Sequence, residues 1–349
     1  MVGDPKKVCP AFMSKSSFLR LMLRTARQLV DPAQPAEEAR EPVPGPAKRV
    51  VPGRVTEMTG FGSNPGELRM LVYAPAVRLP LNAPLIVLLH GCGQEAAAFA
   101  GQAGWIGLAD RIGAALLLPE QQSTNSRGRC FNWFHPADVR RGRGEAVSIL
   151  QMVNAAAKKF GSDRSRIFIV GLSAGGAMTA ALLAAYPGVF NAGAIVAGMP
   201  VGAAQNLPMA VLRMRQADPY KGRDALAEAV RRSAPAHSQN IWPRVSIWQG
   251  EDDRVVDPAN AVQLAAQWSA VHGLPEASAV ATQGLAPGRH HRTWGPPSRP
   301  LVELWTLAGL GHGYPIEAGR GDGSEPGFAV LNAGLSATDH IARFWGITE

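Results

Sequence analysis

Residues 166–178 read Arg-Ile-Phe-Ile-Val-Gly-Leu-Ser-Ala-Gly-Gly-Ala-Met, and no other stretch restricts the fold of this chain so tightly. The β-branched and aromatic run Ile167–Val170 predicts a buried strand, Gly171-Leu172-Ser173-Ala174-Gly175 predicts a sharp turn, and the Ala-rich continuation predicts a helix. A serine at such an apex is held in a strained backbone conformation at the top of a sheet. Glycines two residues to either side let strand and helix approach closely enough to leave its hydroxyl exposed. Ser173 is therefore the candidate nucleophile. The alternative is a serine that only caps a Gly-rich helix start.

A serine nucleophile needs a base, and the base needs a carboxylate to orient it, in the chain order serine, acid, histidine. The apolar run Val245–Gln249 ends in Gly250-Glu251-Asp252-Asp253-Arg254-Val255-Val256-Asp257-Pro258, a strand end crowded with carboxylates. Asp253 and its nearest competitor Asp252 are the candidates for the acid, while Asp257 fits a helix cap better. The run Leu301–Leu307 leads into Ala308-Gly309-Leu310-Gly311-His312-Gly313-Tyr314, where glycines free the backbone to bring an imidazole over the serine. His312 is the base. His90 precedes the serine, His290 and His291 read as part of an Arg-rich loop, and His340 falls on the last helix as a structural residue. Donors for a developing oxyanion should be the backbone N–H of Ala174 and a second N–H from the loop His90-Gly91-Cys92-Gly93-Gln94. Cys92 is assigned there by its backbone and not its thiol, since nothing near it in sequence supplies a base.

The chain in order supports an α/β class. Arg54–Phe61 and Leu68–Ala74 alternate as two antiparallel strands, and Pro84–Leu89 is a continuous apolar run of the kind a central strand carries. Glu95–Gly113 reads as a helix, Ala114–Leu118 as a strand and Gly144–Phe160 as a longer helix. The nucleophile unit follows, then strands at Ala192–Met199, Val245–Gln249 and Leu301–Leu307. Strands alternating with helices predict a doubly wound, mostly parallel sheet with helices on both faces. At 349 residues the chain is long enough for one such catalytic domain, expected over residues 54–349, with a cap-like insertion at about 201–240. Residues 1–53 read as an extension: a short basic amphipathic helix at Phe18–Val30, which fits packing on a domain surface better than membrane attachment, and then a Pro-rich linker.

Composition narrows the function classes. The net charge of +8 comes from scattered arginines without any nucleic-acid motif, so it reads as a solvated surface and not a nucleic-acid footprint. No apolar run approaches the roughly 20 residues that span a bilayer. No secretory signal peptide is evident, a cytoplasmic reading by sequence that leaves the compartment unassigned. Cys9, Cys92 and Cys130 match no zinc spacing, and His290 with His291 lacks companion ligands, so neither metal nor cofactor is expected. An oligomeric state is not legible.

With these residues in place, the chain resembles the esterases related to poly(3-hydroxybutyrate) depolymerases, a family that includes feruloyl and acetylxylan esterases. The resemblance runs from about Met70 to Gly346. It rests on Leu89-His90-Gly91-Cys92-Gly93-Gln94, Cys130-Phe131-Asn132-Trp133-Phe134, Arg140-Arg141-Gly142 with Gly144-Glu145, Gly171–Gly176, Gly250–Asp253 with Val256 and Pro258, and Gly309–His312. It implies an α/β-hydrolase fold, a triad of Ser173, Asp253 and His312, and an oxyanion hole from the N–H groups of Cys92 and Ala174. It also implies a disulfide between Cys92 and Cys130. Two positions depart from the family pattern: Phe131 stands where a Trp is common, and Gln249 where a His usually precedes the acid-loop glycine. Secreted depolymerases often carry a signal peptide and a polymer-binding domain, neither of which is apparent here, so soluble oligomers or small acyl esters suit this chain better than crystalline polymer.

Side chains expected to contact substrate are Trp133, Tyr314 and Gln94, with Phe131 and Phe134 equally explicable as core, and Leu207, Met209, Leu212 and Met214 of the insertion as the cap. The expected activity is ester hydrolysis through an acyl-enzyme, on short acyl esters or hydroxyalkanoate oligomers. Feruloyl or acetylxylan ester hydrolysis is the alternative, ahead of a peptidase or a non-catalytic binding protein on the same scaffold.

Overall fold

The computed structural model describes residues 53–76, 78–236 and 241–348. The helix expected at Phe18–Val30 and nearly all of the linker after it lie outside these residues.

The central strands form where the sequence is apolar almost without interruption. In chain order they are β1 (Thr56–Glu57), β2 (Arg69–Tyr73), β3 (Leu85–Leu89), β4 (Ala115–Glu120), β5 (Ile167–Leu172), β6 (Ala192–Val196), β7 (Arg244–Gly250), β8 (Val280–Ala281), β9 (Arg289–Trp294) and β10 (Val302–Leu307). They join one sheet in the order β1-β2-β4-β3-β5-β6-β7-β10-β9-β8. The six central strands from β4 to β10 run parallel, and the strands beyond them at both edges run antiparallel. Every residue of β3, β5, β6 and β7 is buried, as a sheet covered on both faces requires. A second, small sheet pairs β11 (Tyr314–Ile316) with β12 (Val330–Asn332).

Alternation along the strands sorts the core into two layers. Leu85, Val87, Leu89, Ile167 and Ile169 point to one side, where they meet Met152, Leu182 and Trp268. Ile86, Leu88, Phe168, Val170 and Leu172 point to the other, against Phe99, Trp105 and Trp345. Helices α1 (Ala96–Gln102) and α2 (Trp105–Ile112) cover the second face together with α9 (Ala337–Trp345). The first is covered by α4 (Gly144–Phe160), after the one-turn α3 (Pro136–Val139), and by α5 (Ala174–Ala185), α7 (Arg223–Ser233) and α8 (Ala259–Val271), with α6 (Leu207–Arg215) preceding α7. The doubly wound α/β-hydrolase architecture expected from the sequence is therefore present.

Three local expectations change. The single helix read over Glu95–Gly113 is two, because the chain turns at Gly104 with φ 79°. His290 and His291 lie not in a loop but in β9, at the antiparallel edge. There the His291 ring stacks on Trp305 with centroids 4.1 Å apart, and its Nε2 bonds Glu303 at 2.9 Å. An Arg- and His-rich strand gives a weak sequence signal, since only one face of it is covered. The helices of the 201–240 insertion pack chiefly on α8 and α5: Gln267 bonds the backbone of Val201 and Leu226, and Asn260 bonds the Arg213 carbonyl. Met214 is buried, whereas Met209 and Leu212 remain exposed.

The approach of β5 to α5 leaves no room for a side chain. A methyl on Gly171 would lie 2.2 Å from the Gly175 carbonyl oxygen, and one on Gly175 would lie 2.2 Å from that of Leu89. Both obstacles are backbone and cannot rotate away. Gly171→Ala is expected to destabilise the fold by about 1–3 kcal/mol or more through overpacking. Thermal unfolding measures this, and an unchanged Tm would show that the turn has slack the packing denies.

Candidate active site

The C-terminal ends of β3, β5, β7 and β10 gather at one rim, beside the point where β4 and β5 take opposite sides of β3. Open α/β sheets place their sites at such a rim. Ser173 follows β5 with φ 57° and ψ −117°, a conformation side chains rarely adopt. Its N–H donates to the Val196 carbonyl at 2.9 Å, and its own carbonyl accepts from Ala177 N–H at 2.9 Å. Sheet and helix thus grip the residue from both sides and leave its hydroxyl at the rim.

His312 arrives from the loop after β10. Its Nε2 lies 2.9 Å from Ser173 Oγ and its Nδ1 lies 2.7 Å from Asp253 Oδ2, so one imidazole bridges residues 139 and 59 positions away in sequence. Asp253, buried after β7, also accepts from the N–H groups of Val255 and Val256 on Oδ1, each at 2.8 Å, and from Gln249 Nε2 on Oδ2 at 2.9 Å. Burial pushes its carboxyl pKa up. The facing His312 and the two backbone donors outweigh that and hold it below the ordinary carboxylate value. Asp252, the competitor, is exposed. Asp257 caps: its Oδ1 accepts from Ala259 N–H and its Oδ2 from Ala217 N–H.

Loop 90–94 lies beside the turn after Ser173: a methyl on Gly175 would fall 2.2 Å from the Leu89 carbonyl oxygen and 2.6 Å from that of His90. Among the described residues, the N–H groups of Cys92 and Ala174 have no protein acceptor. They remain available to an oxyanion. The loop itself is pinned at several points. Cys92 is bridged to Cys130, Gly93 N–H donates to the Gly128 carbonyl at 2.8 Å, and Arg129 Nη2 donates to the Gly93 carbonyl at 2.8 Å. His90 is fully buried, and burial lowers its pKa to about 4. It is a neutral bracket, with Nδ1–H donating to the Gly91 carbonyl and Nε2 accepting from Gln121 N–H.

Two expected substrate contacts are corrected. Gln94 is buried and its amide is already committed, accepting from Gly91 N–H at 2.7 Å and donating to the Phe328 carbonyl at 2.7 Å. It braces the loop. Tyr314 is fully buried, its hydroxyl 2.9 Å from Thr338 Oγ1 and its ring edge-on to Phe99, so it belongs to the core under the site. Phe131 is also core, while Trp133 is nearly buried with Phe134 packed edge-on against it at 5.6 Å.

Two residues carry weight that sequence reasoning missed. Phe328 is 46% exposed, and its ring reaches to 3.5 Å of the position a Gly93 side chain would take. An apolar wall therefore stands beside the oxyanion loop, supplied by a segment whose sequence shows no motif. Glu145, at the start of α4, is fully buried and reaches across to the disulfide loop. Its Oε2 accepts from Asn132 N–H, and its Oε1 accepts from the amides of Asn132 and Gln121. Its place in the quoted Gly144-Glu145 pair was the only signal. Burial raises its pKa from 4.5 to about 8, with nearby Asp138 adding to the rise and the Asn132 and Gln121 donors opposing it.

That shift has a defined sign. The folded protein keeps the Glu145 proton up to about pH 8, whereas the unfolded chain releases it near 4.5. The contribution is thus full below the lower value and lost as pH climbs through the upper one. Stability is expected to fall across that window by up to about 1.4 kcal/mol per pH unit from this group. Glu145→Gln should flatten the dependence of Tm on pH there, and a slope equal to wild type would assign the proton elsewhere.

Among the described residues no cluster of three or more His, Cys, Asp or Glu side chains is arranged to hold a metal ion, and no helix is long and apolar enough to cross a membrane. The sequence model of the family described as Esterase PHB depolymerase matches residues 68–287. Poly(3-hydroxyalkanoate) depolymerase C of Paucimonas lemoignei is 36% identical over 299 residues, 84% of this chain and 70% of that protein. An acetylxylan esterase of Coprinopsis cinerea is 31% identical over 77% of this chain and 72% of its own length. Feruloyl esterase B of Talaromyces funiculosus is 30% identical over 77% of this chain and 75% of its own. In three dimensions the acetyl xylan esterase from Aspergillus awamori superposes with a TM-score of 0.71 at 23% identity, covering 85% of this chain and 100% of that one, a likeness of fold. By sequence, this chain belongs to the esterase PHB depolymerase family.

Proposed function

We propose that Ser173, His312 and Asp253 hydrolyse carboxylic esters through an acyl-enzyme, with the N–H groups of Cys92 and Ala174 as the oxyanion hole. The observation that carries this reading is the unbroken hydrogen-bond chain from Ser173 Oγ through both ring nitrogens of His312 to Asp253 Oδ2. Ser173 Oγ attacks the ester carbonyl while His312 Nε2 takes its proton, and the carbonyl oxygen gathers negative charge facing the two N–H donors. The tetrahedral adduct collapses as His312 returns the proton to the leaving alkoxide, giving the alcohol and an ester on Ser173. Water then repeats the sequence, activated by the same imidazole, and releases the acid. Asp253 holds Nδ1 protonated so that Nε2 is the free base, and its charge offsets the transient imidazolium.

The acyl group we assign is short and neutral, such as butyryl or 3-hydroxybutyryl in soluble oligomers. The aromatic wall of Phe328 beside the oxyanion loop supports this, together with Trp133 and Phe134 on the disulfide loop. The nearby Arg129 is already taken up by the Gly93 carbonyl and by Glu95. A site walled by apolar rings, with Arg129 engaged by its own loop, favours neutral acyl chains over acidic ones. The similarity to a depolymerase of poly(3-hydroxyalkanoate) points the same way.

Ser173→Ala is expected to lower kcat by about 10⁴-fold or more without changing the fold, because triad members act as a unit. Retention of over a tenth of the activity by a folded variant would refute the assignment. The wild-type rate should also fall on acidification, since a protonated imidazole cannot accept the serine proton.

For the acyl group, a series of p-nitrophenyl esters, hydroxybutyrate oligomers and methyl ferulate decides. kcat/KM is expected to be highest for chains of about two to six carbons and to drop by roughly 1 kcal/mol or more for each methylene that finds no room. A profile rising steadily with chain length, or ferulate turned over faster than butyrate, would replace this assignment with a lipase-like or feruloyl esterase. Cleavage of the matching anilides at the ester rate would make it a peptidase.

A further inference from the structure

Gln249 is the last side chain of β7 before the acid loop, 1% exposed, and the chemistry above gives it no part. Its Nε2 lies 2.9 Å from Asp253 Oδ2, 3.1 Å from the Gly250 carbonyl oxygen and 3.5 Å from that of Val256. Three acceptors around one end of the amide fix which end is nitrogen, because the flipped orientation would set oxygen against oxygen three times. Oδ2 is also the atom that receives His312 Nδ1–H at 2.7 Å. Oδ1 is occupied by the Val255 and Val256 N–H groups. Of the four donors on this carboxylate, two are backbone, one is the catalytic base, and Gln249 is the remaining side chain.

We propose that Gln249 is a positioning residue for the ester hydrolysis: its amide N–H fixes the plane of the Asp253 carboxylate and shares Oδ2 with His312, setting both the aim and the basicity of the imidazole. The inference rests on the reading of Asp253 as the triad acid. Physically, a buried carboxylate divides its charge among its donors. With Gln249 present, part of the Oδ2 charge is neutralised by a neutral amide, which moderates the pull on the imidazolium. Without it, His312 faces Oδ2 alone, holds its proton more tightly, and becomes a base only at higher pH. The carboxylate also loses a restraint on its rotation, so the Nε2 lone pair points less often at Ser173. A role confined to tying β7 to the acid loop, through Gly250 and Val256, would change stability and leave the pH profile in place.

The test uses the full chain and a short-acyl p-nitrophenyl ester, with kcat, KM, the acid limb of kcat/KM and Tm measured for each variant. Gln249→Met fills the space without a donor, and is expected to lower kcat about 10-fold, to leave KM within about two-fold, and to move the acid limb up by about half a pH unit. Gln249→His, which retains a neutral N–H, should restore most of the rate and return the limb toward wild type. Asp253→Asn separates this inference from the reading beneath it. In that background Gln249→Met should cost nothing further, since both act through one carboxylate. An unmoved limb with losses that follow Tm overturns the proposal, and so do losses that multiply in the double variant. Should Gln249→Met fail to fold, Gln249→Asn, whose shorter amide stops short of Oδ2, carries the same test, and a wild-type limb there overturns it. Wild-type turnover by Asp253→Asn would overturn the triad reading, a result distinguishable from failure of Gln249 alone.

Discussion

The site depends on one backbone conformation, that of Ser173 at φ 57° and ψ −117°. A residue with a side chain resists that region, so the surroundings must hold it there. They do so by hydrogen bonds to the end of β6 and the first turn of α5, and by contact of Gly171 and Gly175 so close that neither tolerates a methyl. The strain has a geometric consequence. A relaxed turn would fold the hydroxyl back toward the helix start, whereas this one lifts it to the rim within reach of His312. The same turn puts Ala174 N–H at the start of a helix, unpaired by the geometry of helix ends and so available to an oxyanion.

Two buried carboxylates near that turn show how surroundings divide labour between chemically similar groups. Asp253 and Glu145 both suffer burial that disfavours charge. Around Asp253 an imidazole and two backbone donors prevail, and the group stays a ready counter-charge. Glu145 has amide donors but no cation facing it, and a neighbouring acid besides, so burial prevails and its carboxyl holds a proton up to about pH 8. A Glu145 that accepts through both carboxyl oxygens suits a brace. It fixes Asn132 and thereby the loop that carries Cys130, whose disulfide reaches Cys92 in the oxyanion loop. A chain of local contacts thus runs from α4 to the loop that carries the Cys92 N–H.

Other corrections share one cause. Gln94 and Tyr314 stand within a few residues of catalytic positions, yet both turn inward, Gln94 to close its own loop and Tyr314 to fill the layer under β11. Proximity in sequence said that they were near the site. Only packing says which way a side chain points. The opposite holds for Phe328, which reaches the oxyanion loop from 235 positions beyond Gly93 and lies in a stretch without periodicity or motif.

What the sequence determined by itself was everything local. The turn at Ser173, the apolar central strands, the Gly-rich loops after β3 and β10 and the carboxylates after β7 follow from backbone and burial rules that act over a few residues. Their order along the chain then pointed to the candidate triad and to the class of fold. Strand β9, next to the edge, escaped because its covered face is interrupted by Arg and His, and the break at Gly104 escaped because an apolar pattern continues through it. The tertiary structure alone decided the rest: that Gln249 meets Oδ2 of Asp253, that burial raises the pKa of Glu145, and that Phe328 stands beside Gly93 while Tyr314 turns into the core. Each of these is a contact or a desolvation between groups distant in sequence or turned by their neighbours, and such energies exist only once the sheet has brought the parts together.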